Sequence, residues 1–223
     1  MMTRMAAAQH SAAGATRRSP LALAVLALLG YKPLHPYGVQ RLLKEWGKEN
    51  VVNVGQRASL YKTMERLTAA GLIAVRETER DQQYPERTVY ELTEEGRQTA
   101  MRWMAEMLAA PRAEYPEFPA ALSFLPLLDP DGAAELLEQR VKHLETALAD
   151  LDAVLATDEA INLPRAVLLD DEYVRMTLAN ELEWVRGVLA DLRAGKLTWS
   201  AEELREFAQA SEQSVQHEER HES

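Results

Sequence analysis

The chain changes its hydrophobic rhythm several times along its length. Leu21–Leu29 ("LALAVLALL") is an unbroken apolar run between Ser19-Pro20 and Gly30. It falls far short of the ~20 apolar residues that a membrane span needs. It therefore reads as a buried helix, capped by Ser19, opened by Pro20 and ended by Gly30. A second helix is predicted over about 36–46 and a third over about 56–70. Gly30 and Pro33 precede the second, Gly47 and Gly55 bracket the loop before the third, and Gly71 stops it. In the third, "RASLYKTMERLTAA", the helical period turns Leu60, Met64 and Leu67 inward. Ala58, Lys62, Glu65 and Ala69 then face outward, with Ser59, Tyr61 and Arg66 on the shoulders.

Past Gly71 the period drops. "LIAVRETER" (72–80) and "RTVYELT" (87–93) are rich in β-branched and apolar residues, and they flank the polar link "DQQYPE". This pattern predicts a β-hairpin with a six-residue tip. Thr93 then caps a fourth helix, with Glu94 and Glu95 favourably placed at its positive end. That helix runs through Trp103 to about Ala110, and Pro111 closes it. Three helices, a hairpin and a further helix, in this order, form a winged helix-turn-helix. Its third helix offers a polar face to the DNA major groove while the hairpin, or wing, reaches neighbouring backbone.

Beyond Pro111 a proline-rich connector with a short helix leads to Asp129-Pro130, which open a long helix. Its apolar residues Leu137, Val141, Leu144, Leu148, Leu151 and Leu155 alternate spacings of four and three. A second long helix, ended by Gly195, repeats the spacing with Leu178, Leu182, Val185, Leu189 and Leu192. Two such seams predict an antiparallel pair that doubles into a dimer, with Leu137, Val141, Leu144, Leu148, Leu151, Leu178, Leu182, Val185 and Leu189 at the interface. The alternative is that the seams satisfy one another within a single chain. The fold class is thus mainly α: an N-terminal winged helix-turn-helix plus a C-terminal antiparallel helical, coiled-coil dimerisation domain. The expected divisions are a disordered arm at 1–18, a DNA-binding domain at 19–112, a dimerisation domain at 113–197, and a short helix with a polar tail at 198–223.

Charge sharpens the division. The chain carries a formal -10, yet residues 1–112 hold 16 Lys+Arg against 11 Asp+Glu (+5) and residues 113–223 hold 9 against 24 (-15). Halves of opposite sign suit different partners. The absence of cysteine excludes disulfides, thiolate nucleophiles and sulfur-ligated metals. Arg17-Arg18 before the apolar run superficially resembles a twin-arginine export signal, but Pro20 and Leu21 fit it poorly and no small-x-small cleavage site follows. "HEERH" (217–221) matches the zincin spacing by chance, because it sits in a polar tail without the packed helix and further ligand that such a site needs. No nucleophile elbow, P-loop or dinucleotide fingerprint occurs. An enzyme is not expected, nor a cofactor, a metal or a membrane partner.

The stretches "LALLGYKPLHPYGVQRLL" (26–43), "ASLYKTMERLTAAGLI" (58–73) and "VYELTEEGR" (89–97) together resemble the PadR family of bacterial transcription regulators, in its branch with a long helical C-terminal domain. The resemblance covers the winged-helix half in sequence and the C-terminal half in helical architecture only. Where the family usually has glycine, glycine and proline, this chain has Pro36, Ala58 and Lys62. The last two lie on or beside the groove-facing surface, so base preference does not carry over. The resemblance implies a dimeric, DNA-binding cytoplasmic regulator at the nucleoid, most often a repressor that small molecules release.

Candidate contacts follow. Arg57, Lys62 and Arg66 supply positive charge to phosphates and Ser59 and Tyr61 hydrogen bonds, while Glu65 either accepts from a cytosine amino group or pairs with a neighbouring cation. On the wing, Arg80, Gln82, Gln83 and Arg87 are the candidates, diluted by Glu77, Glu79, Asp81 and Glu86. "MRWMAEML" (101–108) reads first as core or interface. In the alternative reading Trp103, Met104 and Met107, completed by Tyr115, Phe118, Phe124 and Trp184, wall a pocket for an apolar or aromatic effector. The rivals to a regulator are a winged helix that binds protein, and a ligand-binding protein without DNA function.

Overall fold

Helix α1 (Pro20–Tyr31) begins as the sequence predicts: the Ala22 N–H donates to Ser19 Oγ at 3.2 Å and Pro20 takes the first helical position. It does not stop at Gly30. Lys32 is extended (φ -164°, ψ 157°) because it precedes Pro33, whose ring disfavours helix in the residue before it. Proline, rather than glycine, ends this helix. The computed structural model describes residues 17–53, 55, 57–79, 87–157, 162–200, 202, 203 and 205. The arm at 1–16, the wing-tip candidates Arg80, Gln82 and Gln83, and the "HEERH" tail lie outside the described residues.

Helix α2 (Pro36–Glu45) is capped by His35, whose Nδ1 accepts from the Gly38 N–H at 2.9 Å. A short 3-10 turn (Lys48–Asn50), which the sequence pattern does not reveal, follows Gly47 at φ 65°. Helix α3 (Arg57–Ala69) ends in a Schellman motif: Leu72 N–H reaches Leu67 C=O at 3.0 Å, Gly71 N–H reaches Thr68 C=O at 2.9 Å, and Gly71 adopts φ 71°. Strands β1 (Ile73–Glu79) and β2 (Arg87–Leu92) pair antiparallel, with a bulge between Val75 and Glu77. Leu34 bridges Tyr90 on the other side of β2. The apolar run of α1 lies at the centre of this unit, with Ala22, Val25 and Leu26 fully buried against α3, α4 and β2.

One corner admits no side chain. Thr93 caps α4 (Glu94–Ala109) by accepting the Gly96 N–H at 3.0 Å, and its hydroxyl donates to the Gly71 carbonyl at 2.7 Å. Its own N–H reaches the Leu72 carbonyl at 3.2 Å. A Cβ on Gly96 would stand 1.9 Å from that same Leu72 oxygen.

The chain divides into two compact units at Ala113/Glu114. In the second, α5 (Glu117–Ser123) precedes α6 (Pro130–Leu155), which Asp129 caps through the Gly132 N–H at 2.7 Å. Helix α7 (Leu169–Arg193) returns antiparallel, as its ion pairs show: Arg175, Arg186 and Arg193 meet Asp152, Glu145 and Glu138 in turn. These exposed pairs fix register more than they stabilise. Leu137 and Leu144 of α6 pack against Leu182, Val185 and Leu192 of α7, with Val141, Leu148 and Leu178 beside them. The seams assigned to a dimer therefore meet within one chain. Leu151 and Leu189 are likewise buried in the single chain. Opposite its seam, α7 carries a second apolar stripe, Leu169, Tyr173, Met176 and Trp184, each about half exposed or more. The corresponding face of α6 holds Glu135, Gln139, Lys142 and Thr146. Helix α5 has no buried residue and is held by Phe118, over which the Arg140 guanidinium lies 3.4 Å from the ring centroid while donating to Glu181 at 2.6 Å.

Two substitutions test this account. Gly96→Ala should destabilise the N-terminal unit by about 3 kcal/mol or more, since a backbone carbonyl cannot swing aside as a side chain would. Chemical denaturation of residues 17–113 reads it. Phe118→Ala should speed amide exchange across 117–123 and leave α6 and α7 protected; uniform loss of protection would contradict the single-anchor view.

Candidate nucleic-acid interface

Helix α3 presents the surface that its phase requires. Leu60, Met64 and Leu67 are at most 2% exposed, while Arg57, Ala58, Ser59, Tyr61, Lys62, Glu65, Arg66 and Ala69 face solvent. Thr63 is also buried, which narrows the exposed face. Several cations elsewhere in this unit are paired. Arg18, Arg41, Lys44 and Arg97 pair with Glu106, Glu45, Glu49 and Glu94. Among the described residues no acid pairs with Arg57, Lys62 or Arg66. Three unneutralised cations thus share one exposed helix beside a hairpin, which suits a polyanion.

The wing is less complete. Arg87 stands opposite Glu79 at the start of β2, and the bulge leaves Arg76 as the extra, exposed residue of β1. Arg76 was not singled out from the sequence, because a bulge leaves no local signature there. Tyr90 was missed as well. It is half-buried, and its phenol is pushed above its ordinary range first by burial, then by the nearby Glu65 carboxylate and Tyr61.

The effector candidates are divided between the two compact units. Trp103 is 6% exposed and belongs to the core built around α1, so it is a structural residue of the N-terminal unit rather than a free pocket wall. Met104 is exposed and Met107 half-buried on α4. Tyr115 is 93% exposed and Phe124 67%. Within the second unit Phe118 and Trp184 are brought together, edge to face with centroids 6.2 Å apart. An open groove of about 410 Å³ between α6 and α7 is lined by Glu138, Val141, Lys142, Glu145, Arg186 and Leu189 among others, and none of the seven candidates borders it. Among the described residues no cluster of potential metal ligands occurs, and no helix is long and apolar enough to cross a membrane.

Taken together, these features define a winged helix-turn-helix carrying a second, helical unit. Residues 25–102 match the model of the transcriptional regulator PadR-like family, and the N-terminal unit is PadR-like. That family is one of regulators, not of enzymes. Among solved structures, Bacillus subtilis PadR in complex with operator DNA aligns at 22% identity and a TM-score of 0.64, covering 77% of this chain and 98% of that one. The same protein in complex with p-coumaric acid gives 22% and 0.60 over 78% and 98%. The Vibrio cholerae virulence activator AphA gives 16% and 0.58 over 78% and 98%. At these identities the likeness is one of fold. Among curated proteins none matches the sequence.

Trp103→Ala should cost the N-terminal unit about 3–5 kcal/mol, as expected for a large core residue. Thermal unfolding measures it. A variant of wild-type stability would return Trp103 to the candidates for ligand contact.

Proposed function

We propose that the protein is a sequence-specific DNA-binding transcription regulator, acting as a homodimeric repressor in the cytoplasm at the nucleoid and released by a small apolar or aromatic effector. The observation that carries this reading is the unpaired cationic face of α3 within a PadR-like winged helix. Lys62, Arg66 and Arg57 neutralise phosphates, Ser59 and Tyr61 donate to them, and the wing, with Arg80, Gln82, Gln83 and Arg87, follows the flanking backbone. The helical unit joins two copies so that two half-sites are engaged together. Support for the DNA and effector parts comes from the B. subtilis PadR structures with operator DNA and with p-coumaric acid. AphA is an activator, so the sign of regulation rests on the resemblance to repressors rather than on the fold.

The dimer contact is assigned to the outer stripe of α7 rather than to the seams. Leu137, Leu144, Leu182, Val185 and Leu189 have little area left to bury, whereas Leu169, Tyr173 and Met176 form an exposed stripe of about 10 Å along the face of α7 opposite the seam, and Trp184, further along that face, meets Phe118. The effector contact is assigned to Phe118 and Trp184, whose rings meet edge to face.

Titration against the DNA upstream of the protein's own gene tests the reading. Affinity should fall by roughly one log unit per log unit of salt for each phosphate contact, and Lys62→Ala should flatten the slope by about two in a dimer. An affinity indifferent to salt would leave the winged helix as a protein-binding module. Met176→Glu should yield folded monomers in sedimentation, whereas Leu182→Glu should unfold the helical unit, because it buries a charge in the seam. A wild-type monomer at micromolar concentration would remove the dimer from the proposal.

A further inference from the structure

Helix α3 carries one acid among its cations. Ala58, Lys62, Glu65 and Ala69 follow one another at spacings of four, three and four, and each faces solvent. They form the line on the helix opposite Leu60, Met64 and Leu67. The alanines at either end let the backbone come close to whatever the helix meets, and Lys62 and Glu65 are the two long side chains on that line. A carboxylate in such company would ordinarily pair with a cation of its own helix. The positions four residues away hold Tyr61 and Ala69, and Lys62 lies three residues before Glu65, the less favourable order for such a pair. Among the described residues the Glu65 carboxylate makes no hydrogen bond or ion pair. Of its two readings from the sequence, pairing with a neighbouring cation is the one the structure does not bear out.

A carboxylate facing DNA is repelled by every phosphate, so a free acid at this place weakens binding to all sequences alike. It favours binding only where a base edge offers a donor with no acceptor beside it. In the major groove that donor is the cytosine amino group, since the adenine amino group stands next to N7, which repels a carboxylate. Reach separates the two long side chains. Lys62, on a flexible four-carbon stem, can swing to a phosphate at the edge of the groove. The shorter Glu65 meets only what lies straight ahead. We propose that Glu65 is a specificity-determining residue: it accepts a hydrogen bond from a cytosine amino group in each half-site, and it selects against other bases by leaving its charge unanswered. The inference deepens the DNA-binding reading and rests on it.

The test selects binding sites from randomised duplexes with the wild type, Glu65→Gln and Glu65→Ala. Glu65 is exposed, so both variants should keep the wild-type melting temperature. The wild type should prefer cytosine at one position of each half-site by roughly tenfold. Glu65→Gln should move that preference to adenine, whose amino group and N7 together match an amide, and Glu65→Ala should abolish it. Preferences at the other positions should stay. Both variants should also bind a duplex of unrelated sequence more tightly than the wild type, because a repelled charge is gone. Variants that keep the wild-type preference and gain affinity for every sequence equally would make Glu65 a general repeller and overturn the proposal. So would preferences lost at all positions together, which would mean that Glu65 supports the helix rather than reading a base. A wild type that binds no duplex would sink the regulator reading and this one with it, whereas a selected site in which no position responds to Glu65 would sink this one alone.

Discussion

The winged-helix unit is organised around a place where three backbone segments touch with no room between them. The Leu72 carbonyl accepts from Thr93, the Gly71 carbonyl accepts the Thr93 hydroxyl, and the first turn of α4 comes so close that position 96 has no space for a methyl group. The end of α3, the start of the wing and the start of α4 are thereby fixed to one another by hydrogen bonds rather than by adjustable side chains. A recognition helix can be aimed only if its end is held, and here the restraint is applied just past the last exposed residue of α3. The apolar mass of α1 then supports the assembly from within.

The second unit solves a different problem. An antiparallel pair offers only one seam, and packing it leaves the rest of each helix to solvent. Helix α6 accepts this with a polar outer face, whereas α7 does not. The asymmetry between two helices that share the same heptad spacing is the most informative feature of this unit. Helix α5 is attached through Phe118, which packs on the seam cluster, meets Trp184 of α7 and lies under the Arg140 guanidinium of α6.

Much of the fold was legible in the sequence because its determinants are local. Ser19, Thr93 and Asp129 are caps recognisable from their neighbours, and Leu60, Met64 and Leu67 announce the inward face of α3. The misreadings arose where a local signal had two sources. Gly30 and Pro33 both punctuate the end of α1, and the proline acts through its effect on Lys32. A heptad seam states that an apolar partner exists without saying which chain supplies it, so Leu137 and Leu182 were given to a second copy when each other sufficed. Trp103 falls in phase with Gly96, Thr99 and Ala100, a small-residue face that agrees with the first reading of 101–108 as core or interface. The β-bridge between Leu34 and Tyr90 joins residues far apart along the chain, and no spacing encodes it.

Ala113 is uncharged, so the two compact units carry the same +5 and -15 found on either side of residue 112. A DNA duplex would attract one unit and repel the other. At physiological ionic strength the repulsion acts over about 8 Å and does little once a site is occupied. It matters more for encounters in which the helical unit arrives first, since these gain no electrostatic hold. If the protein binds DNA as proposed, the acidic unit would act as a filter on orientation, shortening unproductive residence on bulk DNA and widening the margin between specific and non-specific binding without any contact to a base.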